Sequence, residues 1–190
     1  MQSKIINDKV FEFFPVHESK RLIFRNFSKK DAYELFLIKS DKQVMQHMDD
    51  FPFKNISEAE QSITKSQNLF NEKNGILWAI IEKSSNQMIG YFGYWRLIRK
   101  HCRGEIGYAL HPKVWGKGYM KETLDCLIPF GFNEMNLHSI EANLNPNNGN
   151  SERLLLRFGF KKEAYFRENY LFNGKFNDSV IYSLLESDLK

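Results

Sequence analysis

The sequence predicts an α+β fold, a mixed α/β layered sheet, on three observations. Short alternating or β-branched runs are interleaved with stretches at helical spacing. Three strand-like runs follow one another with no helix between them, and the chain closes on a two-strand pattern around Asn173-Gly174. A sandwich would lack the helical stretches and a bundle would lack the strands.

The elements follow in order. Residues 1–19 read as a short extension, with Phe11, Phe13 and Phe14 available to pack on the body. Residues 20–25 alternate and carry β-branched character, which predicts a strand. Ser28 with Asp31 three residues on reads as a helix N-cap, and Ala32, Leu35, Phe36 and Lys39 continue at helical spacing. Helix signals return over 44–48 and again after Ser57, where Glu58 and Glu60 favour a first turn; Pro52 interrupts the stretch between them. Strands follow at 76–82, 88–95 and 103–111. Ser84-Ser85-Asn86 turns the first pair, and Arg99-Lys100-His101 lies between the second. A helix over 119–133 turns Leu124, Leu127 and Ile128 inward, with Pro129 arguing against a straight course. Residues 139–144 predict a strand and 151–158 a helix, closed by Gly159 as a left-handed cap. Residues 163–172 and 175–184 pair across Asn173-Gly174, the strongest short hairpin signal. Trp78 and Trp95 read as core.

With 190 residues, 42% hydrophobic and 26% charged, and no internal repeat or Gly/Ser/Pro-rich linker, residues 20–190 are expected to form one domain rather than a disordered chain. No apolar run approaches the roughly 20 residues that cross a bilayer, and the first residues carry no signal-type apolar stretch. Cys102 and Cys126 stand alone, without metal-ligand spacing, and no histidine pair has a helical ligand spacing with an acid. The expectations are a cytoplasmic protein, no metal and no membrane partner. A net charge of +4 is weak for nucleic acid, and no basic helix or stacking motif accompanies it, so no nucleic-acid partner is expected. It does favour an anionic ligand.

The chemistry concentrates between Gly104 and Phe160. The strand Gly104-Glu105-Ile106-Gly107-Tyr108-Ala109-Leu110-His111 feeds Pro112-Lys113-Val114-Trp115-Gly116-Lys117-Gly118-Tyr119, which opens a helix. A glycine-spaced turn at a helix N-terminus aims several free N–H groups and the positive dipole end one way, which suits a pyrophosphate. Gly116 and Gly118 allow the unusual φ and close approach, and Lys113, Lys117 and Lys121 add positive charge. The run is neither a Walker loop nor a complete dinucleotide fingerprint.

The second half of the pattern is Asn148-Gly149-Asn150-Ser151, then Leu155, Gly159 and Phe160. The pairing of WGKGY with N-x-x-S-x-x-x-L-x-x-x-GF resembles the GNAT superfamily of N-acetyltransferases, and within it the RimJ/RimL-like ribosomal-protein N-terminal acetyltransferases. The resemblance implies an acyl-CoA N-acyltransferase fold: a mostly antiparallel sheet of six to seven strands, helices on both faces, and a splay between strands 104–111 and 139–144. It implies acetyl-CoA as co-substrate, with its pantetheine arm in the splay against backbone groups near Ala109 and Leu110. Amides of Trp115, Gly116, Lys117, Gly118, Tyr119 and Met120 would hold the pyrophosphate, and Asn148 the cofactor arm. Lys113 stands where the superfamily usually has Gln or Arg, keeping the charge without the fork geometry. Leu155 stands where many members place a proton-donating tyrosine, which leaves Ser151, beside the cofactor, as the better donor.

Attack of an amine on a thioester needs a neutral amine, a polarised carbonyl and a stabilised thiolate. Ser151 fits either support of the departing sulfur or a helix cap, and Asn148 fits the cap equally well. Glu105 fits a base acting through water, or an acceptor-orienting or surface carboxylate. The expected acceptor is a protein N-terminal α-amine, whose reference pKa near 8 makes it cheaper to deprotonate than a lysine. The alternatives are a polyamine, amino acid or aminoglycoside, or a non-catalytic acyl-CoA-binding module. The loops at 41–53 and 172–176 would choose the acceptor, and an exposed edge strand is compatible with a monomer or a homodimer.

Overall fold

Eight strands form a single sheet in the order β1-β2-β3-β4-β5-β6-β8-β7, in a computed structural model that describes residues 4–189. The first three residues of the expected extension and Lys190 lie outside the described residues. The strands are β1 (His17–Glu18), β2 (Leu22–Arg25), β3 (Ile76–Glu82), β4 (Gln87–Ile98), β5 (Arg103–Leu110), β6 (Ser139–Leu144), β7 (Lys161–Phe172) and β8 (Lys175–Leu185). Seven were expected; the eighth, β1, is two residues of the extension that pair with Ile23 and Phe24 of β2. All neighbours are antiparallel except β5 and β6.

The helices are α1 (Ala32–Ser40), α2 (Lys42–Met45), α3 (Ile56–Asn71), α4 (Tyr119–Asn133) and α5 (Gly149–Phe158). Their starts follow side-chain caps. Asp41 accepts from Gln43 N and Val44 N at the start of α2, and Asn55 accepts from Glu58 N at the start of α3. These caps set α2 two residues earlier and shorter than expected, and α3 just ahead of Ser57. The Ser28 turn is held by Asp31, which accepts from the Ser28 amide (2.7 Å) and from both Nη atoms of Arg25 at 2.8 Å. Pro129 lies inside α4, which runs on to Asn133; the missing N–H costs one bond without ending the helix.

Two apolar clusters lie on opposite faces of the sheet. One gathers Trp78, Ile80, Phe92, Tyr94, Ile106, Leu110, Ile140, Ala142 and Tyr182 under α4 and α5. The extension completes it: Ile6 and Phe11 are buried and Phe14 packs against it, whereas Phe13 is 85% exposed. The other gathers Ala79, Ile81, Met88 and Ala109 under α1, α2 and α3. β3 contributes to both, so it reads as a nearly continuous apolar run rather than an alternating one. Alternation along β5 therefore assigns Ile106, Tyr108 and Leu110 to the α4/α5 face and Ala109 to the α1/α3 face.

Candidate active site

β5 and β6 pair at only three positions, Arg103↔Ser139, Gly104↔Ile140 and Glu105↔Glu141, and then separate. Each is held by its outer antiparallel neighbour beyond that point, through Gly90↔Leu110 on one side and Leu144↔Val180 on the other. The strands thus leave the fork as parts of different half-sheets. The bond from His111 N to Ile89 O sets the alternation between β4 and β5. Ala109 is turned to Tyr91 of β4, while the backbone groups of Tyr108 and Leu110 face the gap. The Leu110 carbonyl already accepts from Trp115 Nε1 at 2.8 Å. Of the two residues expected to offer backbone to a cofactor arm, Leu110 turns its amide to the gap and Ala109 turns its backbone to β4; Tyr108 is the other residue whose backbone faces the gap.

Beyond β5, a short 3-10 turn over Pro112–Val114 leads to Gly116 and Gly118, with φ of +75° and +77°. Gly118 is the N-cap of α4, whose first helical bond runs from Glu122 N to Gly118 O. The Trp115 amide is spent on Pro112 O. The amides of Gly116, Lys117, Gly118, Tyr119 and Met120 donate to no acceptor among the described residues, as the first turn of a helix requires. Tyr119 and Met120 are themselves buried. Lys113 and Lys117 are exposed, and Lys121 pairs with Asp125 at 2.7 Å. Arg21, an ordinary strand residue to judge by its local sequence, braces this turn. It donates to Lys117 O (2.9 Å), pairs with Glu122 (2.6 Å) and lies 4.2 Å over the Tyr119 ring. Free amides, flexible glycines and local cations at one helix end fit a pyrophosphate.

Across the gap, Asn148 caps α5: its Oδ1 accepts from Ser151 N at 3.2 Å. The helix begins at Gly149, two residues earlier than expected, and Ser151 occupies its first turn without capping it. The cap role considered for Ser151 therefore falls to Asn148, and the Ser151 hydroxyl makes no hydrogen bond among the described residues. Near it lies Tyr108, whose buried hydroxyl has no hydrogen-bond partner among the described residues.

On the other face, Glu105 is the last β5 residue paired to β6 and is 5% exposed. Burial and then the neighbouring Glu141 carboxylate push its pKa up, while Arg96 and Arg103 oppose the rise. Arg96 Nη1 lies 3.2 Å from Glu105, and Arg103 pairs with Glu141 at 3.3 Å. Trp95, expected in the core, is 45% exposed because the β4 bulge between Tyr94 and Arg96 turns it out. It stands beside Gly107, the next residue on the Glu105 face. The two expected acceptor loops meet above this face. Tyr170 donates to Asp49 (2.7 Å), and the Phe51 and Phe172 rings lie 5.0 Å apart. Burial and Asp49 together raise the Tyr170 pKa.

A forked sheet with free amides at one end and a buried carboxylate at the crotch suits acyl transfer from a pyrophosphate-bearing thioester. The profile of the acetyltransferase (GNAT) domain matches residues 21–161. The N-acetyltransferase YoaA of Bacillus subtilis, described as uncharacterized, is 34% identical over 91% of this chain and 98% of its own. The [ribosomal protein uS5]-alanine N-acetyltransferase of Escherichia coli is 30% identical over 58% of each chain. A crystal structure of a GNAT-family acetyltransferase from Bacillus anthracis superposes with a TM-score of 0.81 at 26% identity, covering 91% of this chain and 99% of that one.

Proposed function

The chain belongs to the acetyltransferase (GNAT) family and is an acetyl-CoA-dependent N-acetyltransferase; from that premise we propose that it acetylates the α-amine of a protein N-terminus. The observation that carries the reading is the fork itself, with Glu105 at its crotch and Ser151 across it. The uS5-alanine relative supports the acceptor class. So does the chemistry: an α-amine with a reference pKa near 8 is partly neutral at working pH, so a single carboxylate can receive the one proton it must lose.

In this reading the amides from Gly116 to Met120 hold the pyrophosphate, and Tyr108 and Leu110 offer backbone to the pantetheine arm. Glu105, its pKa raised by burial, takes the proton from the attacking amine through a water. The carbon–sulfur bond breaks with its electron pair on sulfur, and the Ser151 O–H donates to that sulfur. Trp95 and the Asp49–Tyr170 bridge border the acceptor side.

An acceptor panel tests the assignment. With free thiol as the readout, peptides with an unblocked N-terminus are expected to turn over well above background, and spermidine and an aminoglycoside not. Turnover of either small amine without turnover of peptide would move the acceptor to small molecules. Tight acetyl-CoA binding with no thiol release from any acceptor would leave a binding module.

A further inference from the structure

The reaction described above leaves one buried hydroxyl beside Ser151 unused. Tyr108 lies between Ile106 and Leu110 and packs against the cluster that also takes in Leu154 and Leu155 of α5. Its ring stacks on Phe92, with centroids 6.4 Å apart and planes within 10°, and Phe92 is fully buried. The hydroxyl lies on the axis about which the ring flips, so flipping does not move it. Oη is shielded from solvent and has no hydrogen-bond partner among the described residues. The Ser151 hydroxyl is near enough to oppose the rise in the phenol's pKa that burial causes, yet Tyr108 Oη is left without a hydrogen bond of normal geometry among the described residues. Asn148 caps α5 by accepting from the Ser151 amide, so Ser151 Oγ is not taken up as the helix cap. A buried, unpaired hydroxyl is a cost that folded proteins rarely carry without a use.

We propose that Tyr108 is a positioning residue: its Oη–H donates to Ser151 Oγ when coenzyme A fills the fork, which leaves the single Ser151 hydrogen directed at the sulfur. The inference rests on the acetyl-transfer reading of this site. A serine hydroxyl has one hydrogen and two lone pairs. Filling a lone pair from Tyr108 fixes the rotamer and strengthens the remaining O–H as a donor. No proton leaves Tyr108, since burial pushes its phenol up to about 12 and keeps it neutral. Ser151 keeps its proton and holds the thiolate by a hydrogen bond; the amine's proton leaves through Glu105 to water, and the thiolate takes one proton from water, so the transfer balances.

The test is a double-mutant cycle of Tyr108→Phe and Ser151→Ala, read in two ways. One readout is kcat with an N-terminal peptide. The other is the pKa of the thiol of bound coenzyme A, followed by its thiolate absorbance and independent of turnover. Ser151→Ala is expected to lower kcat by about 10²-fold. Tyr108→Phe is expected to lower kcat about tenfold and raise the thiol pKa when Ser151 is present, and to do neither in the Ser151→Ala background. Acetyl-CoA affinity stays unchanged, and the Tm of the free protein rises by about 2–4 °C as the unpaired hydroxyl is removed. A merely structural role would move Tm without this coupling. Equal effects in both backgrounds, or no thiol shift with Ser151 present, would overturn the proposal. Absence of turnover with a coupled thiol shift would sink the acetyl-transfer reading and keep the placement of Tyr108; failure to bind coenzyme A would sink both.

Discussion

Gly118→Val is expected to raise the dissociation constant for acetyl-CoA by about 10²–10³-fold while the protein remains folded. Gly118 is the N-cap of α4 at φ +77°, a region that a β-branched residue occupies only under strain. A Cβ there meets nothing closer than Arg21 Nη2 at 3.6 Å, so the penalty is backbone conformation rather than a clash. The turn relieves it by rotating, and the amides of Gly118, Tyr119 and Met120 rotate with it. Those amides act as a set, so redirecting the peptide planes costs several hydrogen bonds at once. Isothermal titration gives the affinity, and circular dichroism checks the fold. An unchanged affinity would remove this turn from the cofactor site.

Glu105→Gln is expected to lower kcat by about 10³-fold with acetyl-CoA affinity unchanged. In the parent enzyme the rate should climb with pH through an inflection above the ordinary glutamate range, because burial and Glu141 favour the protonated form. That limb should vanish in the variant. The sign for stability is opposite to that of a paired surface carboxylate. With its folded pKa raised, Glu105 favours the native state most below its unfolded pKa and loses that contribution as pH rises through the folded value. Removing the charge should therefore not lower Tm at neutral pH, even though Arg96, itself half-exposed, loses a partner. A variant with full activity and an intact acid limb would demote Glu105 to a structural carboxylate.

The strands and the glycine turn before α4 are legible because local chemistry dictates them: alternation in residues 20–25, Asn173-Gly174 at the hairpin, Gly116 and Gly118 before a helix. Helix starts are less so, since caps compete. Ser57 and Ser151 are good caps in isolation, but Asn55 and Asn148 reach the open amides first. Trp95 departs from its expected core place because a bulge is a property of two strands together, and nothing in the β4 sequence alone announces the extra residue. The backbone direction of Ala109 is hidden from the sequence for a similar reason. Which amides of β5 face the gap depends on register with β4, a long-range fact. Arg21 and the Asp49–Tyr170 contact likewise join residues far apart in sequence.

The fork also makes an interior strand behave in part like an edge. Past Glu105 the amides of Tyr108 and Leu110 have no partner strand among the described residues, although β5 sits fifth of eight in the sheet. Their protection against hydrogen–deuterium exchange should be low in the free protein and rise on adding acetyl-CoA, while Ala109, bonded to Tyr91, stays slow throughout. The ligand would then serve as a stitch between two half-sheets that the chain itself joins by three residue pairs. Its occupancy would be written in the exchange pattern of alternate residues along one strand.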